Sequence, residues 1–339
     1  MSLIHSVAEP IIIAHSISPE GIQLITWQLR YWRAIHAELM THRVFSRNAG
    51  SSRARPSATI IDSVTKEPWG PMHWGKNQPG MQALSEHDEL VKIPVHLNRA
   101  YAEYRIQMHG EKYEDIWDVG YWAVTPQDAW HFHAFLCGNM SGAFDEAGYH
   151  KQIVNRTTES VNYIDVVLTS TDFENWYALR DHPDAQPEIQ HLASMMREVQ
   201  EHSEPTLLKP GEWHLPYADS QQDFRDALWY LRELPESNGP VKQQELTELL
   251  QKASAARCAR VSYKLHDGSK TDFDKDLDLF DRLLVSQPLH ASPAEHQATP
   301  DTCYNYGSHA ETWENPNQWG NFRGWRQFRK MLPNEYVPG

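Results

Sequence analysis

The hydrophobic period changes once between residues 23 and 39, and that change dictates the local architecture. Ile25, Trp27, Leu29 and Tyr31 alternate with Thr26, Gln28 and Arg30. A period of two belongs to a strand with one buried face. From Arg33 the spacing turns helical, with Ile35 and Leu39 four residues apart. The strand and helix therefore deliver THRVFSRNAGSSRARP, residues 41 to 56, to a helix end and the loop after it. That window holds Arg43, Arg47, Arg53, Arg55 and three serines in a chain of formal net charge -14. An acidic chain concentrates cations where something anionic docks. Ala49, Gly50, Ser51 and Ser52 are small enough to let the backbone approach a ligand and offer its N–H groups. A phosphate or nucleotide is the natural guest, and a solvated basic loop is the alternative.

The rest of the pattern reads as a mixed α and β chain of 339 residues, long enough for one elaborated domain or two. A second strand is expected at Ile11 to Ala14. Helices are expected near 121–138, 172–181, 187–202, 220–234, 243–258 and 274–286. Thr171 followed by Glu174 reads as a capping box for a helix carrying Phe173, Trp176 and Tyr177. Pro187 suits a first helical turn, and Ile189, Leu192, Met196 and Val199 form one apolar stripe expected to face the core. Pro and Gly mark loops at 68–80 and 235–240. No apolar run approaches the eighteen or so residues of a membrane span, and no secretory signal is expected at the start. Three cysteines, Cys137, Cys258 and Cys303, leave an odd count without metal-like spacing, which suits a reducing cytoplasm. His131 and His133, two apart on a helix, would not share a face, so no metal is expected. No G-x-G-x-x-G or P-loop occurs.

His42-Arg43, seven residues and then Ser51 resembles the R-H-R-x7-S signature of the flavin-dependent thymidylate synthases, with Thr41 in place of the first arginine. Residues 171 to 190 are similar to that family's N-x4-R segment, matching at Asn175 and Arg180. AARCARVSY (255 to 263) and HASPAEH (290 to 296) resemble its A-R-V-S and H-x-T-P-F-E-H elements. In the family those two precede the first motif. Here they follow it by more than two hundred residues, an order that implies a circular permutation, which surface termini tolerate. Residues 56–120 match nothing in the family and read as an insertion; 300–339 reads as a C-terminal extension.

The resemblance implies an α+β fold, a small sheet packed with helices, in a homotetramer whose sites draw on several subunits. It implies reductive methylation of dUMP to dTMP with FAD as cofactor and NADPH and methylenetetrahydrofolate as co-substrates. That route needs no thiol nucleophile, and no cysteine here sits in a nucleophile's context. By motif match, His42, Arg43, Asn48, Asn175, Ser262, His290, Ser292 and Glu295 would contact the flavin. Ser51, Ser52 and Arg53 would hold the nucleotide, Arg156 would be a second phosphate-binding arginine, and Arg180 would stabilise charge on the pyrimidine ring. Ser51 acts either by positioning or covalently. Glu38 stands where the family has a glutamine and Ala49 where an acidic residue is common. A carboxylate only accepts hydrogen bonds, so Glu38 beside a ring edge would favour an amino group. That keeps open an enzyme acting on dCMP or stopping at a hydroxymethyl product. A nucleic-acid-binding protein using the arginine loop is a third reading, and the overall acidity argues against it.

Overall fold

The computed structural model describes residues 7–112, 121–233, 240–262, 272–285, 289–307, 310–333 and 335. The turn expected at 235–240 therefore lies, except for Pro240, outside the described residues. The architecture is α+β. Strands β1 (Glu9–Ile17), β2 (Gln23–Trp32), β3 (Ser46–Ala49), β4 (Tyr163–Ser170) and β5 (Thr206–Leu207) form a mixed sheet in the order β3-β4-β2-β1-β5. Only β5 runs parallel to its neighbour. Gly21, at a φ of 80°, turns β1 into β2, a conformation glycine adopts without steric cost. Strand β1 extends beyond the expected Ile11–Ala14.

Eight α-helices longer than one turn occur among the described residues: α1 (Ser57–Lys66), α2 (Asn98–His109), α3 (Pro126–Glu146), α4 (Glu174–Arg180), α5 (Pro187–Glu201), α6 (Gln221–Glu233), α7 (Gln243–Ala259) and α8 (Phe273–Phe280). On one face, Trp27, Leu29 and Tyr31 of β2 join Val166 and Leu168 of β4 against Trp176 of α4 and the expected stripe of α5. The other face is not solvated, as alternation alone would suggest. Leu24 packs under Ala298, Phe322 and Trp325, and Val167 under Cys258 and Val261. A central strand covered on both sides buries its polar positions too. Fully buried Thr26 is accordingly bonded to Thr169 at 2.7 Å and to His214 at 2.8 Å.

Three local expectations change. Helix α3 starts at Pro126, not 121, because Thr125 Oγ1 accepts the Asp128 amide at 3.1 Å and proline fills the first turn. The capping box at Thr171 does not form. Asp172 Oδ1 accepts the Glu174 amide at 3.2 Å, while Thr171 Oγ1 accepts from Arg323 N–H, so the nearer aspartate wins the helix start. The helical stretch after Arg33 is short, a 3-10 turn at Arg33–Ile35 and one α-turn at His36–Leu39. The arginine window is then not a loop throughout, because residues 46 to 49 pair with β4 as the sheet's edge.

The described part of 56–120 packs on α3, through Ile60 and Val64 against Ala134 and through Tyr101 and Tyr104 against Phe132. The C-terminal segment belongs to the main core. Its strand β7 (Trp325–Gln327) pairs antiparallel with β6 (Ala298–Pro300). Buried Asp301 there accepts from the Asn315 amide at 3.0 Å and Trp319 Nε1 at 2.9 Å. No helix among the described residues is long and apolar enough to cross a membrane.

Candidate functional site

Strand β3 places the middle of the arginine window beside a segment more than two hundred residues later. The 3-10 turn Ser292–Glu295 packs against it. Gln327, 2% exposed, bridges the two: its Nε2 donates to Ser46 Oγ at 3.2 Å and to the Glu295 carbonyl at 3.0 Å. Between them opens a groove of about 380 Å³. Arg47, Asn48 and Ser51 line one wall, His290, Ser292 and Pro293 the other, and Ala259, Leu279 and Leu283 supply apolar surface. Polar donors converging over an apolar floor are the usual composition of a small-molecule site. Asn48 Nδ2 reaches the Cys258 carbonyl at 3.4 Å. The turn Arg260–Ser262 packs next to β3; the side chain of Ser262 lies outside the described residues. Glu295 is not on the groove wall. Its carboxylate pairs with Arg329, which also meets Glu335.

A second cluster adjoins the first through Arg47, whose Nη1 donates to the His42 carbonyl at 2.8 Å. Arg180, at the last turn of α4, sends Nε to His42 Nε2 at 3.0 Å, Nη1 to Glu38 Oε2 at 3.0 Å and Nη2 to Thr41 Oγ1 at 3.2 Å. His42 is 6% exposed, stacked on Phe45 and met edge-on by Trp176. Burial, and then the Arg180 and Arg47 cations, hold its imidazole below the ordinary value. It is therefore neutral at pH 7, and a neutral ring is what an acceptor at Nε2 requires. Burial likewise lowers Arg47.

The loop after β3 is pinned from below. Asn155 Nδ2 donates to the Ser52 carbonyl at 2.7 Å and the Arg55 carbonyl at 3.0 Å, and Lys151 Nζ to the Ala54 carbonyl at 3.1 Å. Ser51 Oγ accepts the Arg53 amide at 3.3 Å, and Ser52 Oγ meets Glu159 at 3.4 Å. Arg53 and Arg156 are exposed, the latter one residue from the Asn155 clamp.

Of the residues expected to form one site, the groove collects Asn48, Ser51, His290 and Ser292. Glu38, His42 and Arg180 form the adjoining clamp. Arg43 and Asn175 are exposed outside both. Sequence reasoning counted Arg47 among the window cations without giving it a site role, and it passed over Gln327, which lies in a segment with no motif to mark it. Burial raises the Cys258 and Cys137 thiols above their ordinary value, which makes them poor thiolates. No group of three metal-ligating side chains assembles among the described residues. A comparison with models of known protein families returns no match to this chain.

Proposed function

We propose that the chain is a flavin-dependent thymidylate synthase, circularly permuted, that methylates dUMP reductively with methylenetetrahydrofolate and NADPH. One observation supports this above the others. Asn48 and Ser51 of the first motif share a groove with His290 and Ser292 of the last, although the sequence sets them some 240 residues apart. The resemblance assigns these residues to one active site, and their meeting in one groove is what that assignment requires.

The donor set suits a flavin ring. Asn48, His290 and Ser292 offer hydrogen-bonding groups for ring edges, and Leu279, Leu283 and Ala259 offer an apolar contact. A groove of about 380 Å³ is at the small end of ligand sites, which run from roughly 300 to 1,000 Å³. It accepts a ring system, and a whole dinucleotide needs surface from another subunit, in keeping with a homotetramer. Exposed Arg43 and Asn175 are the side chains for that shared surface. When bound, the reduced flavin supplies the hydride.

The chain's own residues bind and orient. Ser51, Ser52 and Arg53, with Arg156, would hold the nucleotide phosphate on a loop that Asn155 and Lys151 keep in place. Ser51, already accepting a backbone amide, serves as a positioning hydroxyl. Arg180 reaches the pyrimidine ring only by releasing Glu38. In the arrangement described it positions residues 38 to 42, and Glu38 spends its charge on that pair. The ground for preferring dCMP, a Glu38 carboxylate free to read an amino group, weakens accordingly.

Protein reconstituted with FAD should carry a flavin absorption band and form dTMP from dUMP, NADPH and methylenetetrahydrofolate. Asn48→Ala and His290→Ala should each weaken FAD retention. Absence of flavin binding under any reconstitution condition rejects the reading, and turnover of dCMP alone would reassign the substrate.

A further inference from the structure

A second and larger cavity, about 820 Å³, shares no lining residue with that groove. Three aromatic rings stand in its wall, among polar residues that include Gln244, Thr247 and Glu248. Trp213 meets Phe328 edge-on at 6.0 Å and 87°, and Phe280 lies nearly parallel to Phe328 at 6.3 Å and 27°. Lys252 Nζ stands 5.7 Å from the centre of the Phe280 ring, and Arg326 spends Nε on Gln318 Oε1 at 2.7 Å. Among the described residues, Lys252 and the Nη atoms of Arg326 have no carboxylate partner.

The decisive group is Gln251. It is 6% exposed, lines the cavity, and its carboxamide has no hydrogen-bond partner among the described residues. Its amide atoms are not among those sealed from solvent without a partner, so they open into the cavity and are free to pair with what enters it. A carboxamide carries one acceptor oxygen and a donor NH₂ side by side. Its complement is a ligand edge with a donor and an acceptor in the same spacing, as in a lactam. Aromatic walls favour a planar ring, and Lys252 and Arg326 set two cations against the one carboxylate of the lining, Glu248, whose Oε1 already accepts from Gln244 Nε2 at 3.0 Å, a balance that favours an anion.

We propose that this cavity binds a planar aromatic lactam bearing a carboxylate or phosphate. The ring lies against Trp213, Phe280 and Phe328, the lactam edge pairs with Gln251, and Lys252 and Arg326 meet the anion. This holds whether or not the chain makes thymidylate.

The probe is 2-oxo-1,2-dihydroquinoline-4-carboxylate, titrated calorimetrically into the full chain, with 1-naphthoate as the comparison that keeps ring and anion and lacks the lactam. One saturable site per chain is expected, with the lactam binding about tenfold tighter than naphthoate, the worth of a buried hydrogen-bonded edge. Gln251→Met should erase that preference while naphthoate still binds, which also reports that the cavity is intact. Lys252→Met and Arg326→Met, at the rim, should each weaken both ligands about tenfold. Three results overturn the proposal: no saturable binding by about 1 mM, equal affinity for the two probes (a water would then serve Gln251), or rim variants that bind like the wild type.

Discussion

Arg180→Ala tests whether the clamp on the arginine window is structural, and its cost follows from three hydrogen bonds. The Glu38 pair has side-chain exposures of 20% and 37%, so solvent screening limits it to about 1 kcal/mol or less. Thr41 is exposed and its lost contact is replaced by water at little cost. His42 is different. Its Nε2 accepts from Arg180 in a site 6% exposed, and leaving such an acceptor dry costs about 1–3 kcal/mol. The sum is about 1–4 kcal/mol. At about 2.1 cal/mol/K of unfolding entropy per residue, a chain of 339 residues loses about 1.5–6 °C in Tm for that change. Arg180→Lys keeps the charge for Glu38 but loses the planar fork that reaches His42, so it should recover only the smaller part. The measurement is Tm by calorimetry at fixed protein concentration, followed by KM and kcat with dUMP for both variants. A positioning residue moves Tm together with KM, whereas a cation acting only at the ring moves kcat and leaves Tm alone. A Tm for Arg180→Ala within 1 °C of the wild type would refute the clamp.

His214 and His296 are buried and depressed to about 3 by that burial. The unfolded chain therefore takes up their protons first, and stability is full above about pH 6.5 and falls as pH drops toward the folded values. Each should lose about 2 kcal/mol between pH 7 and pH 5, a slope that urea melts should find reduced in His214→Gln; an unchanged slope in that variant contradicts the burial argument. Asp276, fully buried, holds Arg257 Nε at 2.7 Å, and Asp276→Ala leaves Arg257 with Asp223 as its remaining carboxylate, so the loss of one charged hydrogen bond should cost about 1–3 kcal/mol in denaturant melts. Gln327→Leu leaves Ser46 Oγ and the Glu295 carbonyl without their bridge and should cost about 1–3 kcal/mol, with faster amide exchange in β3 than in β2; equal exchange would mean the bridge is idle.

The elements most legible in sequence were those with a clean period and one buried face. The α5 stripe is core where expected, because Ile189, Leu192 and Met196 need only a sheet to cover. What stayed illegible depends on partners far along the chain. Strand β2 looks one-sided in sequence, yet Leu24 and Thr26 are buried because Trp325, Ala298 and His214 cover the second face. Periodicity measures a strand's own pattern and is silent about what packs on it. The same holds for the site. Ser51 and His290 were nameable from motifs, but that β3 is an edge strand, and that Gln327 ties it to the 292–295 turn, follows from long-range pairing.

The charge distribution around the window also bears on what the groove is for. Elsewhere several arginines are paired with carboxylates: Arg30 with Asp165, Arg197 with Asp181, Arg257 with Asp223 and Asp276, Arg329 with Glu295 and Glu335. Inside the window the pattern reverses. Arg47 donates to the carbonyls of Met40 and His42, and Arg55 to Tyr163 Oη, over whose ring it lies at 4.4 Å. Arg43 and Arg53 are exposed. Among the described residues none of the four forms an ion pair with a carboxylate. Carbonyl and phenol acceptors fix a guanidinium in place without cancelling its charge, so the loop is ordered and stays positive. In a chain of net charge -14 with 45 carboxylates to draw on, a solvated basic loop would be expected to gather some of them. Four cations without a carboxylate ion pair, one of them, Arg47, on the groove wall and touched only at a distance by the Glu295 charge, leave a positive field, and under the proposed function a nucleotide phosphate would be the counter-charge.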